Sequence, residues 1–418
     1  MVQLDLQTQL RINAERLQAS LLELAKIGAT QKGGVCRLAL TDMDQQGRHW
    51  VINKAKSLGL SVSVDQIGNT FMRRAGRSAH LPPVMTGSHI DTQPTGGKYD
   101  GNYGVLAGLE VIATLNEHGI ETEAPIEIVF WTNEEGSRFT PVMMGSGVFA
   151  GAFSLEHAYS RTDQAGKTVR DELERIGFLG KDKIGEHPCG AYFEAHIEQG
   201  PVLEHHDITI GVVPAVMGLL WFDCVVHGFE AHAGPTPMEI RQDALQVASH
   251  LIQYVVTLAK NHAPHGRGTV GMVQVFPNSR NVIPGRVQFS VDLRHPDATV
   301  LSQMSADLQK KIDSLSATHA MTITLEEVSY FPPCNFNDAC IKAIREVSKG
   351  LGYSQMDVVS GAGHDAIYMA RLAPTGMIFI PCKDGISHNE IEDAKKVHLE
   401  AGANVLLHSM LRFAKPIL

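Results

Sequence analysis

Residues 83–91 read Pro83-Val84-Met85-Thr86-Gly87-Ser88-His89-Ile90-Asp91, and residues 126–136 read Ile126-Glu127-Ile128-Val129-Phe130-Trp131-Thr132-Asn133-Glu134-Glu135-Gly136. Each is a short apolar run that stops at polar, titratable residues, the pattern of a buried strand ending at a functional loop. Between them lies a glycine-rich loop (Gly96, Gly97, Gly101, Gly104), then Val105, Leu109, Ile112 and Leu115 at helical spacing. Strand, loop, helix and strand at these lengths are the α/β rhythm, in which ligands bind at the carboxyl ends of the strands.

Working outward, Leu17, Leu21, Leu24 and Ile27 predict an amphipathic helix, and residues 61–75 a hairpin-like pair around Gly68-Asn69. After Gly211 the texture changes. Strand-like runs at Trp221–His227, Thr269–Val275 and Arg286–Leu293 alternate with helical patterns at Asp243–Leu258 and around Leu301, Met304, Leu308 and Ile312. This stretch is long enough, at about 100 residues, for a small α+β domain of its own. From about Tyr330 the first rhythm resumes and ends in a helix carrying Leu399, Ala403, Leu406, Met410 and Phe413. The organisation expected is an α/β catalytic domain (1–211 and 331–418) interrupted by a smaller α+β domain (212–330).

Composition narrows the classes. The 418 residues are 44% hydrophobic and 19% charged, with a net charge of -9, which excludes a disordered or collagen-like chain. The densest basic stretch, Arg73, Arg74 and Arg77, is too small for a nucleic-acid footprint, and no apolar run is long enough to span a bilayer. Six cysteines without a C-x-x-C pair and a polar opening at Met1–Gln9 suggest a cytoplasmic protein without a secretory signal. Histidine stands out at 20 residues, and it is the commonest metal ligand.

Four segments far apart in sequence place a histidine or carboxylate where a buried strand ends. They are His89 with Asp91 and Asp100, Glu134-Glu135, His196 after the run Ala191–Ala195, and His388 after Met377–Pro381. Any one of these histidines alone is more often structural. Two adjacent carboxylates at a buried strand end are costly unless a cation lies beside them, which suggests one ligand and one general base. Asp91, two residues beyond His89 on an extended chain, is suited to orient the imidazole from behind. His89, Asp100, Glu135, His196 and His388 form a mixed imidazole and carboxylate set suited to Zn, Mn, Co or Ni, and five ligands around two ions suit a hydrolytic centre. There is no H-E-x-x-H, P-loop or nucleophile elbow. Gly361-Ala362-Gly363-His364-Asp365 reads equally as an anion cradle or as a tight turn opening a helix.

Thr86–Asp91, Gly97–Gly101, Asn133–Phe139, His196–Gly200, Pro277–Gly285, Ser360–Asp365 and Ser387–Asn389 occur in this order along the chain. Together they resemble the hydantoinase/carbamoylase amidases of the M20 metallopeptidase superfamily, which include N-carbamoyl-L-amino-acid hydrolases, β-ureidopropionases and allantoate amidohydrolases. His196 falls where the peptidase relatives generally use a carboxylate ligand. Asn133 falls where many of them carry Asp. The resemblance implies two divalent metal ions per subunit held by His89, Asp100, Glu135, His196 and His388, with Asp100 as the bridge. It implies Glu134 as general base, Asp91 behind His89, and Gln199, Asn281, Arg294 and Gly363 on the substrate, Arg294 at its carboxylate. His232 matches a residue of the inserted lid domain that reaches the active site of the partner in a homodimer formed through that domain. The expected reaction is hydrolysis of the carbamoyl C–N bond of an N-carbamoyl-L-amino acid. β-Ureidopropionase and allantoate amidohydrolase are the near alternatives. An M20-type aminoacylase or peptidase is a more distant one, and a non-catalytic binding protein on the same scaffold is disfavoured by the intact ligand set.

Overall fold

A computed structural model describes residues 10–417. Described residues up to Pro214 and from Phe336 onward form one unit, and Ala215–Asn335 form another.

The first unit is built on an eight-stranded sheet in the order Ser61–Val64, Thr70–Arg74, Ile126–Trp131, Val84–His89, Ala191–Ile197, Thr375–Ile380, Ile210–Val213, Gln355–Asp357. The four central strands, from Ile126–Trp131 to Thr375–Ile380, run parallel to one another. Each is buried along its whole length, as expected of parallel strands covered on both faces. Because they are parallel, their carboxyl ends emerge at one edge, and this brings segments distant in sequence together. Helix Asn102–Glu117 connects the first two and is buried from Asn102 to Leu115, packed on the sheet and against helices Ala14–Leu24 and Lys396–Ala414, the second of which also packs on the sheet. The hairpin expected at 61–75 is present, with Val64 opposite Thr70.

The second unit is an antiparallel sheet of strands Arg267–Thr269, Arg286–His295, Gly218–His227 and Thr322–Phe331, in that order, with Val273–Phe276 also pairing to Arg286–His295. Leu220, Phe222, Cys224 and Val226 point to a core with Val287, Phe289, Val291 and Leu293. Helices Ala244–Asn261 and Ala298–His319 close that core with Leu251, Val255, Leu301, Met304, Leu308 and Ile312. Asp243 caps the first of these helices through Leu245 and Gln246, and Asp297 caps the second through Thr299 and Val300. Two elements differ from the sequence reading. The single strand expected at Thr269–Val275 is two short strands separated by residues 270–272. The ten-residue strand Thr322–Phe331 was not expected: it lies at the sheet edge, and although Ile323 and Leu325 pack on the core, a bulge between Glu327 and Ser329 interrupts its alternation.

Candidate metal centre

The parallel strands set the site by where they stop. His89 is the last residue of Val84–His89, and Asn133-Glu134-Glu135 follow Ile126–Trp131 after one residue. His196 sits one residue before the end of Ala191–Ile197, on the face that also carries Tyr192 and Glu194. Asp100 comes from the glycine-rich loop, and His388 from the loop after Thr375–Ile380. His89, Asp100, Glu134, Glu135, His196, Gln199, Gly363 and His388 line one cleft of about 140 Å³, together with Val142, Met143, Ala362 and His364.

Asp100 stands at its centre. One carboxylate oxygen, Oδ1, lies 3.2 Å from His196 Nε2 and 3.5 Å from His89 Nε2. The other, Oδ2, lies 3.4 Å from His388 Nε2, which is itself 3.3 Å from Glu135 Oε2. Two sets of three donor atoms, each within 4.8 Å of one another, therefore share Asp100: His89–Asp100–His196 and Asp100–Glu135–His388. A third set, Glu194–His196–His364, overlaps the first at His196.

The histidines are oriented as ligands. Nδ1 of His89 is 2.9 Å from the Asp91 carbonyl oxygen, and Nδ1 of His196 is 2.8 Å from the Ile197 carbonyl oxygen. A carbonyl only accepts, so each Nδ1 carries the proton and each Nε2 presents a lone pair toward Asp100. Gly101, with φ of 65°, allows the loop to pass this close: a Cβ there would lie 2.4 Å from His89 Nε2.

The charge balance also calls for cations. Burial pushes the Glu134 carboxyl well above the usual range, opposed by His89 and reinforced by Asp365, Glu135 and Asp91. Burial and then Asp100 push Glu135 up to about 8. Asp100 goes the other way: burial opposes ionisation, but His196 and His89, whose protonated forms donate to it, hold it well below the usual range. So many carboxylates in one buried cleft, beside two imidazoles, fit bound divalent cations.

Two residues make contacts that the sequence does not predict. The group that holds His89 Nδ1 is the main-chain carbonyl of Asp91, while its carboxylate is 3.9 Å away. That carboxylate instead accepts the backbone N–H groups of Glu134 at 3.3 Å and Glu135 at 3.2 Å. Gln199 donates through Nε2 to Asp100 Oδ2 at 2.7 Å, leaving a buried Oε1 with no hydrogen-bond partner. Asn133 has φ of 55°, a left-handed conformation that Asn tolerates well, and its Nδ2 donates to the carbonyls of Phe139 and Pro141. Ala362, Gly363 and His364 form a wall of the cleft, and the segment leads into the short helix Ala366–Met369.

His232, Asn281 and Arg294 belong to the second unit. His232 is exposed and its Nδ1 accepts from Gly234 N at 3.1 Å. The Asn281 carbonyl accepts from Ala233 N at 2.9 Å, which holds the two segments side by side. Arg294 donates to Asp292 through Nε at 3.0 Å and Nη2 at 2.8 Å.

Sequence reading passed over Glu194 and Arg37. Glu194 accepts from Ser88 Oγ at 2.7 Å, Tyr192 OH at 3.2 Å and Ala366 N at 3.0 Å. A single acid inside an otherwise apolar strand was the available signal. Arg37 is 0% exposed and donates to the carbonyls of Leu24, Ile27 and Ile90 and to Asn102 Oδ1. It thereby holds the residue between His89 and Asp91. A lone arginine before an apolar run carried no signal.

Residues 85–412 match the family described as Peptidase family M20/M25/M40. The crystal structure of an amidase of the hydantoinase/carbamoylase family from Burkholderia multivorans superposes with a TM-score of 0.95 at 57% identity, covering 97% of this chain and 98% of that one. The chain belongs to this family, in its hydantoinase/carbamoylase branch. Among curated relatives of this M20 amidase, an N-carbamoyl-L-amino-acid amidohydrolase of Rhizobium meliloti is 46% identical over 405 residues, 97% of each chain. An allantoate amidohydrolase of Bacillus subtilis is 34% identical over 394 residues, 94% of this chain and 95% of that one. No helix among the described residues is long and apolar enough to cross a membrane.

Proposed function

We propose that this M20 amidase hydrolyses the carbamoyl C–N bond of N-carbamoyl-L-amino acids, giving the amino acid, ammonia and carbon dioxide, with two divalent ions (Zn, Mn, Co or Ni) per subunit. The observation that carries the reading is Asp100, with one oxygen toward His89 and His196 and the other toward His388 and, beyond it, Glu135. The relative named for this substrate class is 46% identical, against 34% for the one named for allantoate, and this supports the choice of substrate.

In this reading His89, Asp100 and His196 hold one ion and Asp100, Glu135 and His388 the other. Bound there, divalent ions polarise a ureido carbonyl, which is a poor electrophile because two nitrogens donate into it, and make water a better nucleophile at neutral pH. The rest falls to the chain. Glu134 takes the proton of the attacking water and passes it to the leaving nitrogen, a task that needs a carboxyl raised from its usual range. Asp91 fixes Glu134 and Glu135 by their backbone N–H groups. The buried Gln199 Oε1 is an acceptor suited to a ureido N–H. Gly363 keeps the cleft wall low, since a Cβ there would lie 3.0 Å from Met143 Cε. Arg294 and Asn281 bind the substrate, Arg294 by offering a planar fork to its carboxylate. His232 donates to the oxyanion as charge develops on it. Arg294, Asn281 and His232 come with the second unit, the lid, which also pairs the subunits into a homodimer so that His232 serves the partner's site. Six cysteines without a disulfide suit the cytoplasm.

The test is ammonia release by metal-stripped enzyme with Mn, Co, Ni or Zn added back. The panel is N-carbamoyl-L- and D-amino acids, N-carbamoyl-β-alanine, allantoate and an N-acetyl amino acid assayed by its amine. Metal-restored turnover of the L-carbamoyl compounds is expected. A preference for N-carbamoyl-β-alanine or allantoate would move the substrate to the near alternatives, which differ by pocket contacts worth only about 1–3 kcal/mol per methylene. Turnover of the N-acetyl compound alone would replace the reading by an aminoacylase.

A further inference from the structure

We infer that Glu392 is the positioning residue that ties the loop carrying His388 to the loop carrying Asp100, so that occupancy of the Asp100–Glu135–His388 position depends on its carboxylate; this rests on the two-ion reading above.

Glu392 is 2% exposed, yet it contributes nothing to either donor set. Its Oε1 accepts from Tyr99 N at 2.8 Å and Asp100 N at 3.1 Å, and its Oε2 lies 3.0 Å from Ser387 Oγ. Ser387 Oγ is in turn 2.5 Å from Asp100 Oδ2. One carboxylate therefore spans two loops nearly 300 positions apart in sequence and grips each beside a ligand. The glycine-rich loop is shaped to receive it: a Cβ on Gly97 would fall 2.0 Å from both Cδ and Oε1 of Glu392. The chain reaches it through a turn in which Glu392 N donates to the Asn389 carbonyl at 3.1 Å.

The two ligand sets differ in how much they need this tie. His89 and His196 end buried central strands and have Nδ1 fixed by carbonyls. His388 has a side chain 50% exposed and a left-handed backbone with φ of 53°, so packing alone does not hold it over Asp100. The Asp100 loop has a further anchor of its own, Asn102 Nδ2 to the Asp100 carbonyl at 3.1 Å. Loss of Glu392 should release the His388 side first. Partners one shell out from a metal contribute about 10–100-fold to its affinity.

The experiment is calorimetric titration of the stripped full-length protein with Mn²⁺ alone, paired with metal content after gel filtration. Wild type should take two ions per chain. Glu392→Ala should keep one ion at unchanged affinity and bind the other about 10–100-fold more weakly. Glu392→Gln, whose amide oxygen still accepts both N–H groups and whose NH₂ can donate to Ser387, should restore the second ion. Two ions of wild-type affinity in Glu392→Ala, or equal weakening of both, would overturn the inference. Fewer than two ions in wild type would overturn the two-ion reading instead. Should Glu392→Ala not fold, Ser387→Ala replaces it: selective weakening of one ion supports the tie, and unchanged binding overturns it.

Discussion

Asp91 offers the sharpest discrimination, because two roles for it predict different kinetics. Its carboxylate accepts from Glu134 N at 3.3 Å and Glu135 N at 3.2 Å, in a position 2% exposed. Asp91→Ala leaves both N–H groups buried without a partner, and at about 1.5–3 kcal/mol for each charge-assisted bond the loss is about 3–6 kcal/mol. Asp91→Asn keeps one acceptor oxygen but turns an NH₂ toward the other N–H, so about half that cost is expected. The main consequence is for Glu134. A base displaced by about 1 Å costs about 100-fold in rate, or about 2.7 kcal/mol of barrier. In both variants His89 keeps its carbonyl partner at 2.9 Å, so its readiness to bind metal should persist. The assay is ammonia release from an N-carbamoyl-L-amino acid across a metal titration, alongside urea unfolding. Asp91→Asn should retain a kcat deficit of about 100-fold at saturating metal. Full recovery of kcat on adding metal would refute the reasoning, since it would mean Asp91 works through the affinity of His89.

Glu134→Gln should lower kcat by about 100- to 10,000-fold while metal content stays at the wild-type level, because Glu134 belongs to neither donor set; a drained site on metal analysis would contradict its role as base. Arg37→Met strands the carbonyls of Leu24, Ile27 and Ile90 and the Asn102 side chain, at about 1–3 kcal/mol each, so a clear fall in the urea midpoint is expected. Arg37→Lys, a point charge in place of a fork, should recover only part of it, and an unchanged midpoint for Arg37→Met would sink this account. His408 donates through Nε2 to the Leu10 carbonyl at 3.1 Å, and burial lowers its pKa to about 4. The unfolded chain takes up this proton first, so stability should fall as pH drops from about 6.5 toward 4, by about 3 kcal/mol at about 1.36 kcal/mol per pKa unit. His408→Gln, which keeps the donor, should lose that part of the acid sensitivity relative to wild type, and parallel pH–stability curves for the two proteins would refute it.

Much of the molecule was legible from local pattern. The strands ending at His89 and Trp131 announce themselves as apolar runs that stop at titratable residues, and the helix between them by its spacing. The helices at Asp243–Leu258 and around Leu301, Met304, Leu308 and Ile312 were legible by the same spacing. The strand Thr322–Phe331 was missed because its alternation, with Ile323 and Leu325 on the core side, is short and broken by a bulge between Glu327 and Ser329. Glu392 and Arg37 were missed for a related reason: each acts on groups far away in sequence, and a lone charged residue carries no pattern until its partners are known.

By itself the sequence determined which residue types stand at the strand ends, and hence that a set of imidazoles and carboxylates was available for metal chemistry. Only the tertiary structure decided that Asp100 turns one oxygen to each set, that His89 is held by the carbonyl of Asp91 and not its carboxylate, and that Gln199 donates to Asp100. The physical reason is range. Strand and helix periodicity follow from neighbours within a few residues, whereas a hydrogen bond between positions 100 and 392 is set by parallel strand order and loop closure.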